Sequence, residues 1–87
     1  MQAQGIGRAQ SPEHVTFGRV VRETRVRRSL SQEGLGAASG LHRNYVGAIE
    51  RGETNPTLKT LLAIRAGLAV PLSELFALWE QRETEDR

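Results

Sequence analysis

Residues 31–52 read SQEGLGAASGLHRNYVGAIERG, and the fold turns on how this stretch is read. Ser31 is placed to cap a short helix beginning at Gln32, because a serine hydroxyl at that position accepts from an orphan amide of the first turn. Gly34, rather than Glu or Gln, stands at the third helical position, so no full capping box forms. The helix runs to about Ser39 and carries Gly34 and Gly36, each costing roughly 0.5–1 kcal/mol against alanine. Such a helix survives only through packing. Gly40 is placed to stop it with a positive φ. A further helix is predicted over about 43–51, with Leu41, Val46 and Ile49 inward and Gly52 at its end.

Two short helices joined by a three- or four-residue turn containing glycine have the geometry of a helix-turn-helix. In that motif the second helix enters the major groove of DNA and its N-terminal residues reach the base edges. Gly36 is expected to face the partner helix at close approach. What remains outward on the second helix is Arg43, Asn44, Gly47, Ala48 and Arg51. An arginine suits guanine, an asparagine suits adenine, and small residues permit close approach.

Upstream, Phe17, Val20, Val21 and Thr24 recur at three- and four-residue spacing and mark a buried stripe, with Arg19, Arg22 and Glu23 on the other side. A first helix is predicted from Thr16 to about Arg28, ended at Ser29 where glycine would be easier. Residues 1–15 are read as a flexible N-terminal tail, although Ser11-Pro12-Glu13 has the order cap, proline, acid that can open a helical turn. Downstream, 53–56 form a loop and Thr57 caps a helix over 58–66, whose Leu58, Leu61, Leu62 and Ile64 read as too apolar for a surface helix. Gly67 and Pro71 punctuate the exit. A last helix starts near Leu72 or Ser73 and extends toward Arg82, leaving 83–87 to fray. The expectation is one all-α domain over 16–82 with the helix-turn-helix at 32–51.

Eighty-seven residues make at most one domain. The absence of cysteine excludes disulfides and thiolate zinc sites, and His14 and His42 are too few for a metal site without several carboxylates beside them. No nucleophile–base pair, paired carboxylates or phosphate loop points to an enzyme, and no cofactor is implied. No long apolar run predicts a membrane span, and residues 1–15 lack the apolar centre of a signal peptide, which predicts a cytoplasmic protein, nucleoid-associated through the DNA that the helix-turn-helix reads. The net charge of +2 is unevenly spread. Residues 1–51 hold eight arginines against four glutamates, a surplus of +4, and residues 52–87 hold four basic against six acidic residues, a deficit of −2. A positive front and negative back suit a module that presents one face to a polyanion.

Residues 17–76 resemble the lambda-repressor-like (Cro/Xre) helix-turn-helix domain. The resemblance is carried by Arg25, Leu30-Ser31-Gln32-Glu33, Gly40-Leu41, Ile49-Glu50-Arg51-Gly52, Asn55-Pro56-Thr57-Leu58 and Val70-Pro71-Leu72-Ser73-Glu74-Leu75, in that order and spacing. Within the family, Leu41-His42-Arg43-Asn44-Tyr45-Val46 and Ile49-Glu50-Arg51 are similar to controller proteins of restriction-modification systems. The resemblance implies a compact five-helix fold, a symmetric homodimer, and double-stranded DNA carrying two related half-sites about one helical turn apart. It also implies that Gln32 meets a phosphate and that Arg43, Asn44, Gly47, Ala48 and Arg51 face the groove. Arg25 and Glu50 are implied to form a partly buried ion pair that orients the reading helix. Three departures stand out: Gly36 replaces a usual alanine, Ser29 a common glycine, and Thr24 a common large apolar residue.

The remaining candidates lie around this frame. His42 is the cap or turn residue before the reading helix, within reach of a phosphate. Tyr45 either donates its hydroxyl to a phosphate or leans on the core. Asn55, Thr57 and Lys59 sit where the start of a helix can hold a phosphate, and Thr57 serves equally as a plain cap. Leu75, Phe76, Leu78 and Trp79 exceed what the core needs and are expected to form a dimer interface. The expected function is a sequence-specific transcriptional regulator acting as a homodimer, in keeping with control of a restriction-modification system. The alternatives are an antitoxin, for which the short tails leave little room for a toxin-binding segment, and an interaction module that has lost its DNA contacts, against which Arg43 and Arg51 argue.

Overall fold

Ser11 sets where the fold begins. In the computed structural model, which describes residues 8–85, Ser11 is extended and its Oγ accepts from the His14 amide at 3.2 Å. Pro12 follows in the first turn, where no N–H is needed. The first helix, α1 (Pro12–Arg27), therefore starts four residues before the expected start at Thr16. This corrects the expected tail boundary at residue 15. Gln10 is also held, its amide donating to the Gly52 carbonyl at 2.8 Å. Residues 1–7 of the expected tail lie outside the described residues. The Glu13 carboxyl is held below the usual carboxylate range, first by its own backbone amide and then by the Ser11 hydroxyl.

Four more helices follow: α2 (Gln32–Ser39), α3 (Arg43–Glu50), α4 (Leu58–Leu68) and α5 (Leu72–Glu85). No strand occurs among the described residues. Ser31 caps α2 through the Gly34 amide at 2.8 Å, and Gly40 ends it with φ 74°. A methyl on Gly36 would lie 2.5 Å from the Leu41 carbonyl, so the tight turn leaves no room for the alanine usual in the family. Gly67 is not the stop for α4. It sits inside the helix, where a Cβ would meet Ser39 Oγ at 2.2 Å, and Ala69 takes the left-handed position instead, with φ 59°. At the other end of the chain, α5 continues past Arg82, whose guanidinium bonds Glu23 on α1 at 2.6 Å. Residues 83–85 are thus helical; residues 86–87 lie outside the described residues.

The core is built from Phe17, Val20 and Val21 of α1, Leu35, Val46, Ile49, Ile64, Leu68, Val70 and Leu75. α2 packs on α3 and α4, while α1 packs on α3 and α5. Two expectations fail here. Leu58 and Leu62 are 65% and 45% exposed, because Ile64 and Leu68 are the buried face of α4 and the two leucines lie roughly a third of a turn away around the cylinder. Leu75, expected at an interface, is fully buried in the protein's own core.

Candidate nucleic-acid interface

α3 is short, and its start is fixed by a side chain. His42 is extended and its Nδ1 accepts from the Asn44 amide at 3.0 Å, satisfying an orphan donor of the first turn. The remaining ring nitrogen, Nε2, then carries the proton. Arg43 and Asn44 follow on the exposed first turn. The Arg43 guanidinium lies 3.6 Å from the Glu33 carboxylate of α2, both side chains being largely in solvent. Tyr45 is half-buried against the core.

Beyond that turn the helix is gripped on two sides, by α1 and α2. The expected groove-facing set is smaller as a result. Ala48 is 1% exposed and cannot face a ligand. Gly47 is buried as well, beneath two side chains: a Cβ there would lie 3.0 Å from Arg51 Nη1 and 3.5 Å from Gln32 Nε2. Arg43, Asn44 and Arg51 remain exposed. Arg51, just past the helix, donates from Nε to Glu53 Oε2 at 3.0 Å. Sequence reading missed Glu53, since only the bend at Gly52, with φ 75°, brings residues 51 and 53 face to face.

The helix is oriented from behind by an ion pair. Arg25 donates from Nε to Glu50 Oε2 at 2.6 Å and from Nη2 to Oε1 at 3.1 Å, the side chains being 11% and 2% exposed. Arg25 Nη1 also reaches the Leu30 carbonyl at 2.8 Å. Gln32 completes the group, its Nε2 donating to Glu50 Oε1 at 2.9 Å. The phosphate contact expected of Gln32 therefore has only the second amide hydrogen available.

The loop before α4 carries further polar groups. Asn55 Oδ1 accepts from His14 Nε2 at 3.0 Å, and His14 Nδ1 is 2.7 Å from Ser11 Oγ. Thr57 caps α4 through the Thr60 amide at 3.2 Å, and Lys59 is exposed one residue into the helix. On α5, Trp79 packs against the core and donates from Nε1 to the Glu13 carbonyl at 3.2 Å, and Leu78 packs there too. Phe76 is 40% exposed, its ring 5.6 Å from that of Phe17. An apolar pocket of about 190 Å³ opens among Phe17, Pro56, Leu61, Phe76 and Trp79. No single described helix is long and apolar enough to cross a membrane.

A capped reading helix with exposed polar tips, standing on α2 and pinned by α1, is a helix-turn-helix in three dimensions. Residues 21–75 match the helix-turn-helix family model. The chain belongs to the Cro/Xre-type helix-turn-helix family of DNA-binding transcription regulators. It is 46% identical over 55 residues to control protein C.SmaI of Serratia marcescens, covering 63% of this chain and 66% of that protein. It is 41% identical over 64 residues to control protein C.MunI of a Mycoplasma species, covering 72% of this chain and 86% of the relative. Among solved structures, the restriction-modification controller protein C.AhdI of Aeromonas hydrophila superposes with a TM-score of 0.74 at 42% identity, over 76% of this chain and 100% of that one. The five-helix fold is shared with that controller protein.

Proposed function

We propose that this regulator binds a pseudo-palindromic operator as a homodimer and controls a restriction-modification system from the bacterial nucleoid. The observation that carries the DNA reading is the exposed first turn of α3, where Arg43 and Asn44 stand clear of a helix fixed by the His42 cap and the Arg25–Glu50 pair. Arg43 and Asn44 probe base edges, and Arg51 joins them from the helix end. His42 Nε2, the Asn55 amide, Thr57, Lys59 and the free hydrogen of Gln32 grip phosphates, which position without specifying. Tyr45 leans on the core, half-buried, which leaves its hydroxyl as a further candidate for a phosphate. The names of the relatives support the choice of target, since C.SmaI and C.MunI are control proteins and C.AhdI is a restriction-modification controller.

The dimer surface proposed is apolar and lies on α4 and α5. Leu58 and Leu62 share one exposed face of α4, and Phe76 stands out from α5. Leaving three large apolar side chains in water is unfavourable by about 25 cal/mol per Å² of apolar surface, which a second copy removes. Leu78 and Trp79 are half-buried against the core, and Trp79 lines one apolar pocket with Phe76.

The test is selection of bound sequences from random duplex DNA by the wild type and by Arg43→Ala. The variant is expected to lose preference at one symmetric base position, by about 1–3 kcal/mol. A uniform drop with a shallower salt dependence overturns base reading by Arg43. Failure of the wild type to enrich any sequence overturns the operator. Chromosomal occupancy away from any restriction or methyltransferase gene overturns the regulatory target.

A further inference from the structure

We infer that Glu53 is a positioning residue: its carboxylate holds the Arg51 guanidinium for end-on contact with a guanine, so base preference at the Arg51 position depends on an acid that does not itself read the base. The inference rests on the DNA-binding function proposed above.

Glu53 has the more enclosed side chain of the two, 14% exposed against 57% for Arg51. Its backbone is tied at both ends, the amide donating to the Ala48 carbonyl at 2.9 Å and the carbonyl accepting from Gln10 Nε2 at 3.4 Å. An enclosed carboxylate therefore meets an exposed guanidinium, and the enclosed partner, with less room to move, sets the geometry. The bond is made by Arg51 Nε at 3.0 Å. A guanidinium carries five N–H donors, and occupying Nε leaves the Nη1–Nη2 edge, which matches the paired O6 and N7 acceptors of guanine. The side-on approach through Nε is closed while Glu53 holds it. Gly47 provides the seat: with no Cβ there, Nη1 lies across the reading helix instead of being pushed off it.

Charge argues the same way. An acid beside the binding face repels phosphates and weakens non-specific grip, so its presence opposes affinity for DNA in general. A carboxylate that aligns an arginine trades that grip for a single well-aimed, charge-polarised contact. The flexible arginine loses most of its alternatives before DNA arrives.

The experiment uses the full chain as wild type, Arg51→Ala, Glu53→Ala and Glu53→Gln. Affinities are measured over a range of salt on the selected operator, on duplexes changed at each base pair, and on a scrambled duplex. Arg51→Ala identifies the pair that Arg51 reads. Glu53→Ala is expected to reduce discrimination at that pair about tenfold and leave it unchanged elsewhere. Binding to the scrambled duplex is expected to tighten, with a salt slope steeper by about one as Arg51 relaxes onto phosphate. Glu53→Gln, which keeps an acceptor and loses the charge, falls between. Discrimination is a ratio of two affinities on one sample, so partial unfolding cancels. If Glu53→Ala discriminates as the wild type does and binds every duplex tighter by the same factor, Glu53 is only a brake and the inference is overturned. It is overturned as well if Arg51→Ala loses preference at no pair while the wild type still selects an operator, a result that leaves the DNA-binding function standing. A wild type that selects nothing removes that function and the inference together.

Discussion

Replacing Glu50 by alanine tests the architecture behind the reading helix. Glu50 is 2% exposed in its side chain and accepts three hydrogen bonds, two from Arg25 at 2.6 and 3.1 Å and one from Gln32 at 2.9 Å. The substitution leaves a guanidinium that is 11% exposed with only the Leu30 carbonyl for company, and strips a half-buried amide of its partner. Breaking a buried pair by deleting one member costs about 3–5 kcal/mol, because the survivor stays desolvated and unpaired. At about 4–8 °C per kcal/mol for a domain of this size, Tm should fall by at least about 12 °C. The assay is thermal and urea unfolding followed by circular dichroism, with two controls. Glu23→Ala, which breaks the Arg82 pair at 38% exposure on each side, should cost under about 1 kcal/mol. Arg25→Met combined with Glu50→Leu removes both charges and should recover most of the Glu50→Ala loss. A Glu50→Ala protein within about 1 kcal/mol of the wild type would refute the reasoning, since it would mean that water reaches the pair.

Three further outcomes follow from the packing. Gly18→Ala should destabilise by more than about 2 kcal/mol in urea unfolding, because its methyl would lie 2.3 Å from the Ile49 carbonyl where α1 crosses the end of α3. Ser29→Gly should raise stability by about 0.5–1 kcal/mol, since Ser29 holds φ 60° and pays the left-handed penalty of a residue with a Cβ; an unchanged midpoint counts against strain there. Leu58→Asp with Leu62→Asp should shift the sedimenting species from dimer to monomer without lowering Tm of the monomer, both side chains being exposed in the single chain; a persistent dimer moves the interface elsewhere.

Much of the molecule was written in local spacing. The stripe of Phe17, Val20, Val21 and Thr24 named the buried face of α1, and Ser31, Gly40, His42 and Thr57 marked helix ends, because caps and periodicity act within four residues of themselves. Even the early start of α1 lies in Ser11-Pro12-Glu13, a cap, proline and acid that act before any apolar periodicity begins. Ala48, Leu58 and Leu62 were misplaced for a different reason. Helical period says which residues share a face; it is silent on which neighbour covers that face.

By itself, then, the order of residues determined the helices, the turn between α2 and α3, and the polar tips at Arg43 and Asn44. Tertiary structure alone decided which of those tips stay in water, that Gln32 serves Glu50, and that Leu75 belongs to the core. The division follows from range. Helix propensity and capping are settled by adjacent turns, whereas burial and ion pairing depend on groups brought together across 25 residues in the Arg25–Glu50 pair and 59 in the Arg82–Glu23 pair. No local pattern encodes where such chains cross.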